Sequence, residues 1–177
     1  MEWLRQIIDR LLSIFPRLVM VTPDAGGCRI TLGKYVKSID PGWYIYWPLI
    51  QEMSVIAVMP QVKDVRVQSV WSLDRVDLCI GLAVKYRIKD AVAAQLKVQD
   101  YDESLQNSVL TACVEYIGNI DMKEICVDDM NISLTTALQA KARGWGIDIQ
   151  AVGLTDIGRT KNIRLLGNEK VVPLEEN

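Results

Sequence analysis

Histidine is missing from all 177 residues, and phenylalanine occurs once. Without an imidazole, Ser-His and Cys-His nucleophile systems are excluded and the commonest metal ligand is gone. The four cysteines, Cys28, Cys79, Cys113 and Cys126, never stand in C-x-x-C spacing. A zinc site would have to gather thiolates from four distant places, and a secreted disulfide framework needs denser cysteines in a shorter chain. Reduced, mostly buried thiols are expected. Charge of one sign is lacking too: 20 Lys and Arg against 22 Asp and Glu leave a net −2. No basic field marks a nucleic-acid partner. No apolar run approaches the roughly 18 residues that span a bilayer. The first residues show no small-x-small cleavage site, so no secretory signal is expected and any membrane contact should be superficial.

Motifs for bound cofactors are missing as well. Gly33-Lys34 is followed by Tyr35 instead of the Ser or Thr of a phosphate loop, and Gly144-x-Gly146 has Ile149 where a dinucleotide fingerprint needs glycine. Asp74 with Asp77, Asp100 with Asp102 and Glu103, and Asp128 with Asp129 sit at turns or helix starts, where carboxylates cap backbone N–H groups. Asn131-Ile132-Ser133 fits a glycosylation sequon but falls inside a predicted helix. The expectation is a protein without cofactor, metal or enzymatic activity.

What is present is apolar patterning. Hydrophobic residues make up 50% of the chain, enough for the core of one domain. From Glu2 to Phe15, Trp3, Leu4, Ile7, Ile8, Leu11, Leu12 and Phe15 recur at helical spacing opposite Arg5, Gln6, Asp9, Arg10 and Ser13. Pro16 stops this helix. Such a stripe either packs on its own domain or lies in a membrane interface.

After Pro16 the period changes to two. Leu18–Thr22 reads as a short strand, Pro23 to Gly27 as a turn, Cys28–Leu32 as a second strand ended by Gly33. Asp40-Pro41-Gly42 turns into the aromatic stretch Trp43–Ile50, apolar on both faces. That strand is either buried on both sides, as aromatic strands usually are, or partly sunk at a lipid interface. In Val76–Ile88 every even position is large and apolar, which makes one long strand with a buried face. Val62–Leu73 is its hairpin partner, turning at Asp74-Arg75. Helices follow: Asp90 caps Ala91–Val98, and Asp100 to Glu103 opens a helix carrying Leu105, Val109, Ala112, Cys113 and Tyr116 inward. Asp128 or Asp129 caps a third, with Met130, Leu134, Ala137 and Leu138 on one side. Ile147–Ile157 returns as a strand, and 167–177 reads as a loose tail.

Several of these pieces, in this order, resemble the SPFH (band 7, stomatin-like) domain. They are Arg29 to Tyr35 with its Gly33-Lys34, then Pro41-Gly42 to Ile50, Gln61 to Val65, and the hairpin Ser72 to Asp77. Val84-Lys85-Tyr86-Arg87-Ile88-Lys89-Asp90 and Gly144-Trp145-Gly146-Ile147 with Gly153 to Ile157 complete the series. The resemblance covers about three quarters of the chain. It implies an α+β fold, a curved antiparallel sheet with packed helices, held at a membrane and assembled into multimers. Members of this family share no catalytic residues. Three departures stand out: there is no long hydrophobic hairpin, no extended coiled coil after Ile157, and Arg75 replaces the usual hairpin glycine, so that turn is expected to differ.

The expected organisation is an amphipathic membrane helix at 1–17, an SPFH domain at 18–160 and a tail at 161–177. The expected function is a membrane-associated, self-assembling scaffold; the alternative is a small regulatory module docking on a membrane protease or channel. Expected partners are membrane lipid, further copies of the chain, and such a protease or channel, on the cytoplasmic face of a membrane.

Overall fold

The structure, a computed structural model, describes residues 15–159. The expected helix at 2–15, apart from Phe15, and the expected tail lie outside the described residues. Among the described residues eight strands come in chain order as β1 (Arg17–Val21), β2 (Ala25–Thr31), β3 (Tyr35–Ile39), β4 (Gly42–Tyr46), β5 (Gln51–Ala57), β6 (Gln61–Trp71), β7 (Asp77–Ile88) and β8 (Ile147–Arg159). Between β7 and β8 stand α1 (Ala91–Leu96), α2 (Tyr101–Gly118) and α3 (Val127–Lys141), with a short 3-10 turn at Met122–Glu124. All strand pairs are antiparallel. They divide into three sheets, β1-β4, β3-β2-β5 and β6-β7-β8, where a single curved sheet was expected.

The core is built on β7. Leu78, Ile80, Leu82, Val84, Tyr86 and Ile88 are all buried, as their even spacing requires. They meet Leu105, Val109, Ala112, Cys113 and Ile117 of α2 and Met130, Leu134 and Leu138 of α3. Each fully buried aliphatic side chain contributes about 1.5–3 kcal/mol. Asp90 caps α1 by accepting from the N–H groups of Val92 and Ala93, and Asp100 caps α2 through Glu103 N–H. The N-cap of α3 is Cys126, without a side-chain bond; Asp128 and Asp129 fall in its first turn, where they complement the helix dipole instead of capping.

Side chains of α3 also close one edge of this sheet. Asn131 Oδ1 accepts from Leu154 N–H and Thr135 Oγ1 from Val152 N–H, each at 2.9 Å, while Gln139 Nε2 donates to the Ile149 carbonyl at 3.0 Å. Asn131 of the sequon is thereby committed to the backbone of β8.

Two expectations change. Gly26 and Gly27 belong to β2, not to a turn. A Cβ on Gly27 would stand 2.1 Å from the Ser54 carbonyl oxygen, so glycine there serves close approach of β2 to β5. The aromatic strand stops at Tyr46, because Pro48 to Ile50 form the turn into β5. Arg75 takes φ 60°, the left-handed region that glycine enters most readily. Ser72 holds that turn: its hydroxyl donates to Asp74 and accepts from Val76 N–H at 3.2 Å.

Candidate functional site at an exposed apolar tip

The register of β1 against β4 sets Leu18 opposite Ile45 and Met20 opposite Trp43. Opposed residues in an antiparallel pair share a face, and all four of these side chains are exposed, Trp43 at 67%. On the other face Val21 is buried and Val19, Tyr44 and Tyr46 are half-buried. The aromatic strand is therefore not core on both sides. Period two is intact, but the described chain covers only one of its faces.

This ladder runs into a tip. Arg17 pairs with Tyr46, so Phe15 before β1 and Trp47 after β4 lie at the same end. The turn that follows is tight: Gln51 N–H donates to the Trp47 carbonyl at 2.8 Å, and Trp47 N–H to Gln51 Oε1 at 3.1 Å. The β2–β3 hairpin reaches the same place. Lys34 N–H closes it onto the Thr31 carbonyl at 3.1 Å, with Leu32 at φ 53° and Gly33 at φ 66° between them, a type I′ arrangement. Leu32 N–H then donates to the Ile50 carbonyl at 2.8 Å and ties the two turns together. Phe15, Leu32, Trp47, Leu49 and Ile50 thus gather at one end, with Leu32 67% and Leu49 72% exposed. A shallow cleft of about 560 Å³ opens between the turns, lined by Ile30, Leu32, Tyr46, Leu49 and Met53. Lys34 stands 5.7 Å from the Tyr35 ring at the rim.

Two features make this tip unusual for a solvated loop. A non-glycine residue in the left-handed region costs roughly 1–2 kcal/mol, and here it is a leucine. Contiguous apolar exposure of this kind marks a binding surface.

Two other clusters of ionisable groups are internally satisfied. The Tyr86 hydroxyl donates to Asp102 Oδ1 at 2.5 Å, and Lys63 Nζ reaches Asp102 Oδ2 at 3.0 Å. Burial first, then the Asp102 carboxylate, pushes the Tyr86 phenol far above its ordinary range, so it keeps its proton. A wide cleft of about 800 Å³ between β2–β3 and α1 is bordered by Arg87 and Lys89, and Asp148 binds both, at 3.0 and 2.9 Å. Among the described residues no group of three or more Cys, Asp or Glu could hold a metal ion.

Of the residues singled out for membrane contact, Trp3, Leu4, Ile7, Ile8, Leu11 and Leu12 lie outside the described residues. Phe15 stands exposed at the tip, where residues 1–14 join the domain. Sequence reasoning missed Leu18, Met20 and Leu32, whereas Leu49 fell within the stretch Trp43–Ile50 weighed for lipid contact. The available signal at Leu32 was a large apolar residue beside a turn glycine, Gly33.

The profile of the SPFH domain / Band 7 family matches residues 20–172. A protein of Methanocaldococcus jannaschii is 26% identical over 92% of this chain and 82% of its own length. One from Archaeoglobus fulgidus is 25% identical over 92% of this chain and 66% of its own. A stomatin homologue of Pyrococcus horikoshii is 27% identical over 71% of this chain; the match spans 48% of that protein.

Proposed function

The chain belongs to the SPFH domain / Band 7 family, and from that membership we propose that it is a membrane-associated scaffold that assembles with copies of itself and has no catalytic role. The observation that carries the reading is the tip. Phe15, Leu32, Trp47, Leu49 and Ile50 project from one end of the domain, and the ladder Leu18, Met20, Trp43, Ile45 extends it along one side. No described helix is long and apolar enough to cross a membrane. Inserted side chains of the tip, together with the apolar stripe in the sequence of 2–15, offer an interfacial mode of contact. Trp and Tyr favour the level of the lipid headgroups. The four thiols are unpaired, which supports the cytoplasmic face.

Self-assembly would make up for the weakness of such an anchor. One interfacial segment with nearly balanced charge binds lipid reversibly, whereas several tethered together gain roughly 10²–10⁴ in avidity.

Flotation on vesicles of phosphatidylcholine and phosphatidylserine tests the reading. The whole chain should float. Leu32→Asp with Leu49→Asp, and separately removal of residues 1–14, should each leave most of the protein at the bottom while the domain still unfolds cooperatively in urea. If both variants float like the parent, neither the tip nor the stripe binds lipid and the proposal fails.

A further inference from the structure

The two-stranded sheet β1-β4 has one covered face and one open face. Val21 on the first is buried, whereas Leu18, Met20, Trp43 and Ile45 on the second are 55–67% exposed. β1 packs chiefly on β4, and β4 adds only a slight contact with β5. Two antiparallel strands by themselves are marginal in water; a third strand or a helix against the apolar side makes such a unit stable. On the ladder side no described element supplies one.

The neighbouring sequence carries what is missing. Residues 2–15 hold a stripe that includes Trp3, Leu4, Ile7, Ile8, Leu11 and Leu12, and only Pro16 separates Phe15 from β1. The dimensions agree. The rungs Leu18–Ile45 and Met20–Trp43 lie two residues apart on β1, roughly 6.8 Å. On a helix the pairs Leu11-Leu12 and Ile7-Ile8 lie four residues apart, roughly 6 Å. Each strand has five residues, roughly 17 Å, and a helix over Trp3 to Leu12 would span roughly 15 Å. Phe15 and Pro16 make a connection of two residues, the short end of ordinary links between a helix and a strand. β1 runs away from the tip, from Arg17 opposite Tyr46 to Val21 opposite Gly42. A helix entering it through so short a turn lies antiparallel over it, with Leu11 and Leu12 above the first rung and Ile7 and Ile8 above the second.

We propose that, away from lipid, residues 2–15 fold back as a helix on the ladder of Leu18, Met20, Trp43 and Ile45, with Gln6, Asp9 and Ser13 toward water. The stripe cannot cover the ladder and enter a bilayer at once. The domain therefore holds its anchor covered in solution and exchanges ladder for bilayer at a membrane. The contact itself is independent of lipid; the exchange rests on the membrane reading above and gives it a regulation.

The test places the photoreactive residue p-benzoylphenylalanine at Ile8 in one whole-chain preparation and at Gln6, on the polar side, in another. Each is mixed with isotopically heavy chain, irradiated in buffer without lipid, and the adducts are mapped. Position 8 should join the segment of Met20 or that of Trp43 within one copy, and position 6 should do so about tenfold less. Equal yields would mean mere tethering through Pro16, and adducts found only between light and heavy chains would give the ladder to a second copy. Either result, or no adduct on the ladder, overturns the proposal. On vesicles of phosphatidylcholine and phosphatidylserine the yield from position 8 should fall about tenfold as the stripe enters lipid. An undiminished yield on floated protein overturns the exchange. Ladder adducts in buffer from a chain that never floats would support the contact and overturn the membrane reading instead.

Discussion

The side-chain oxygen of Asn131 accepts the backbone N–H of Leu154 at 2.9 Å, on the side of β8 that faces away from β7. Thr135 and Gln139 repeat the contact one and two turns further along α3, because residues four apart share a helix face. An open strand edge invites another strand, and here a polar helix stripe occupies it. Thr135→Val should leave the Val152 amide unpaired at a destabilisation of about 2 kcal/mol, read from the urea midpoint. Thr135→Ser, which keeps the acceptor, should recover most of it. An unchanged midpoint in the valine variant would mean that α3 does not close this edge.

Tyr86 gives the fold a dependence on alkaline pH. Its folded pKa is raised, by burial and then by Asp102, above the unfolded value near 10. The folded state therefore holds its proton more tightly. That contribution is complete below about pH 10 and is lost as pH rises above it. Denaturation midpoints should fall above that pH. Tyr86→Phe should lower stability by about 2 kcal/mol at neutral pH through the lost hydrogen bond, and should flatten the alkaline decline. A decline equally steep in the variant would assign it to other groups.

The thiols should separate by reactivity. Burial pushes Cys113 up to about 11, and burial with the Glu52 charge raises Cys28, whose Sγ also donates to Gln95 at 2.9 Å. Cys126 is exposed. Titration of the folded protein with a thiol reagent near pH 8 should modify Cys126 first and leave Cys28 and Cys113 untouched until denaturant is added. Rapid modification of Cys113 in folded protein would show that α2 does not bury it as described.

Among the described residues two non-glycine ones sit at positive φ, Leu32 and Arg75. Arg75→Gly should raise stability by about 1 kcal/mol with vesicle binding unchanged. Leu32→Gly should also relieve strain, yet weaken flotation, because it removes an apolar side chain from the tip. If Leu32→Gly binds vesicles like the parent, the strained leucine has no part in lipid contact.

Where a residue's neighbours in sequence decide its environment, the chain was readable. The even-numbered apolar positions of β7 fix its buried face without knowledge of the partner, and Asp90 and Asp100 cap helices by rules that act over three residues. What sequence could not supply was which apolar face finds a cover. Trp43 and Ile45 look like core until the register shows them on the uncovered side of a two-stranded sheet. Gly27 looks like a turn residue because its real constraint, the Ser54 carbonyl, is contributed by β5, far along the chain. Leu32 escaped notice for a related reason: only the bond to Ile50 shows that two separate turns make one tip.

The principal core cluster has a lopsided distribution. Its buried members come from β6, β7, β8, the helices and Ala142 just past α3; β5 adds only the partly buried Ile56, with Val58 just beyond it, and β1 to β4 add none. The tip and its ladder therefore stand on thinly anchored sheets, and the local free energy of opening follows local packing. In hydrogen exchange the amides of β1 to β4 should turn over long before those of β7. The end proposed to meet lipid is then compliant, able to reshape against a curved or deforming surface while the rear of the domain keeps its geometry.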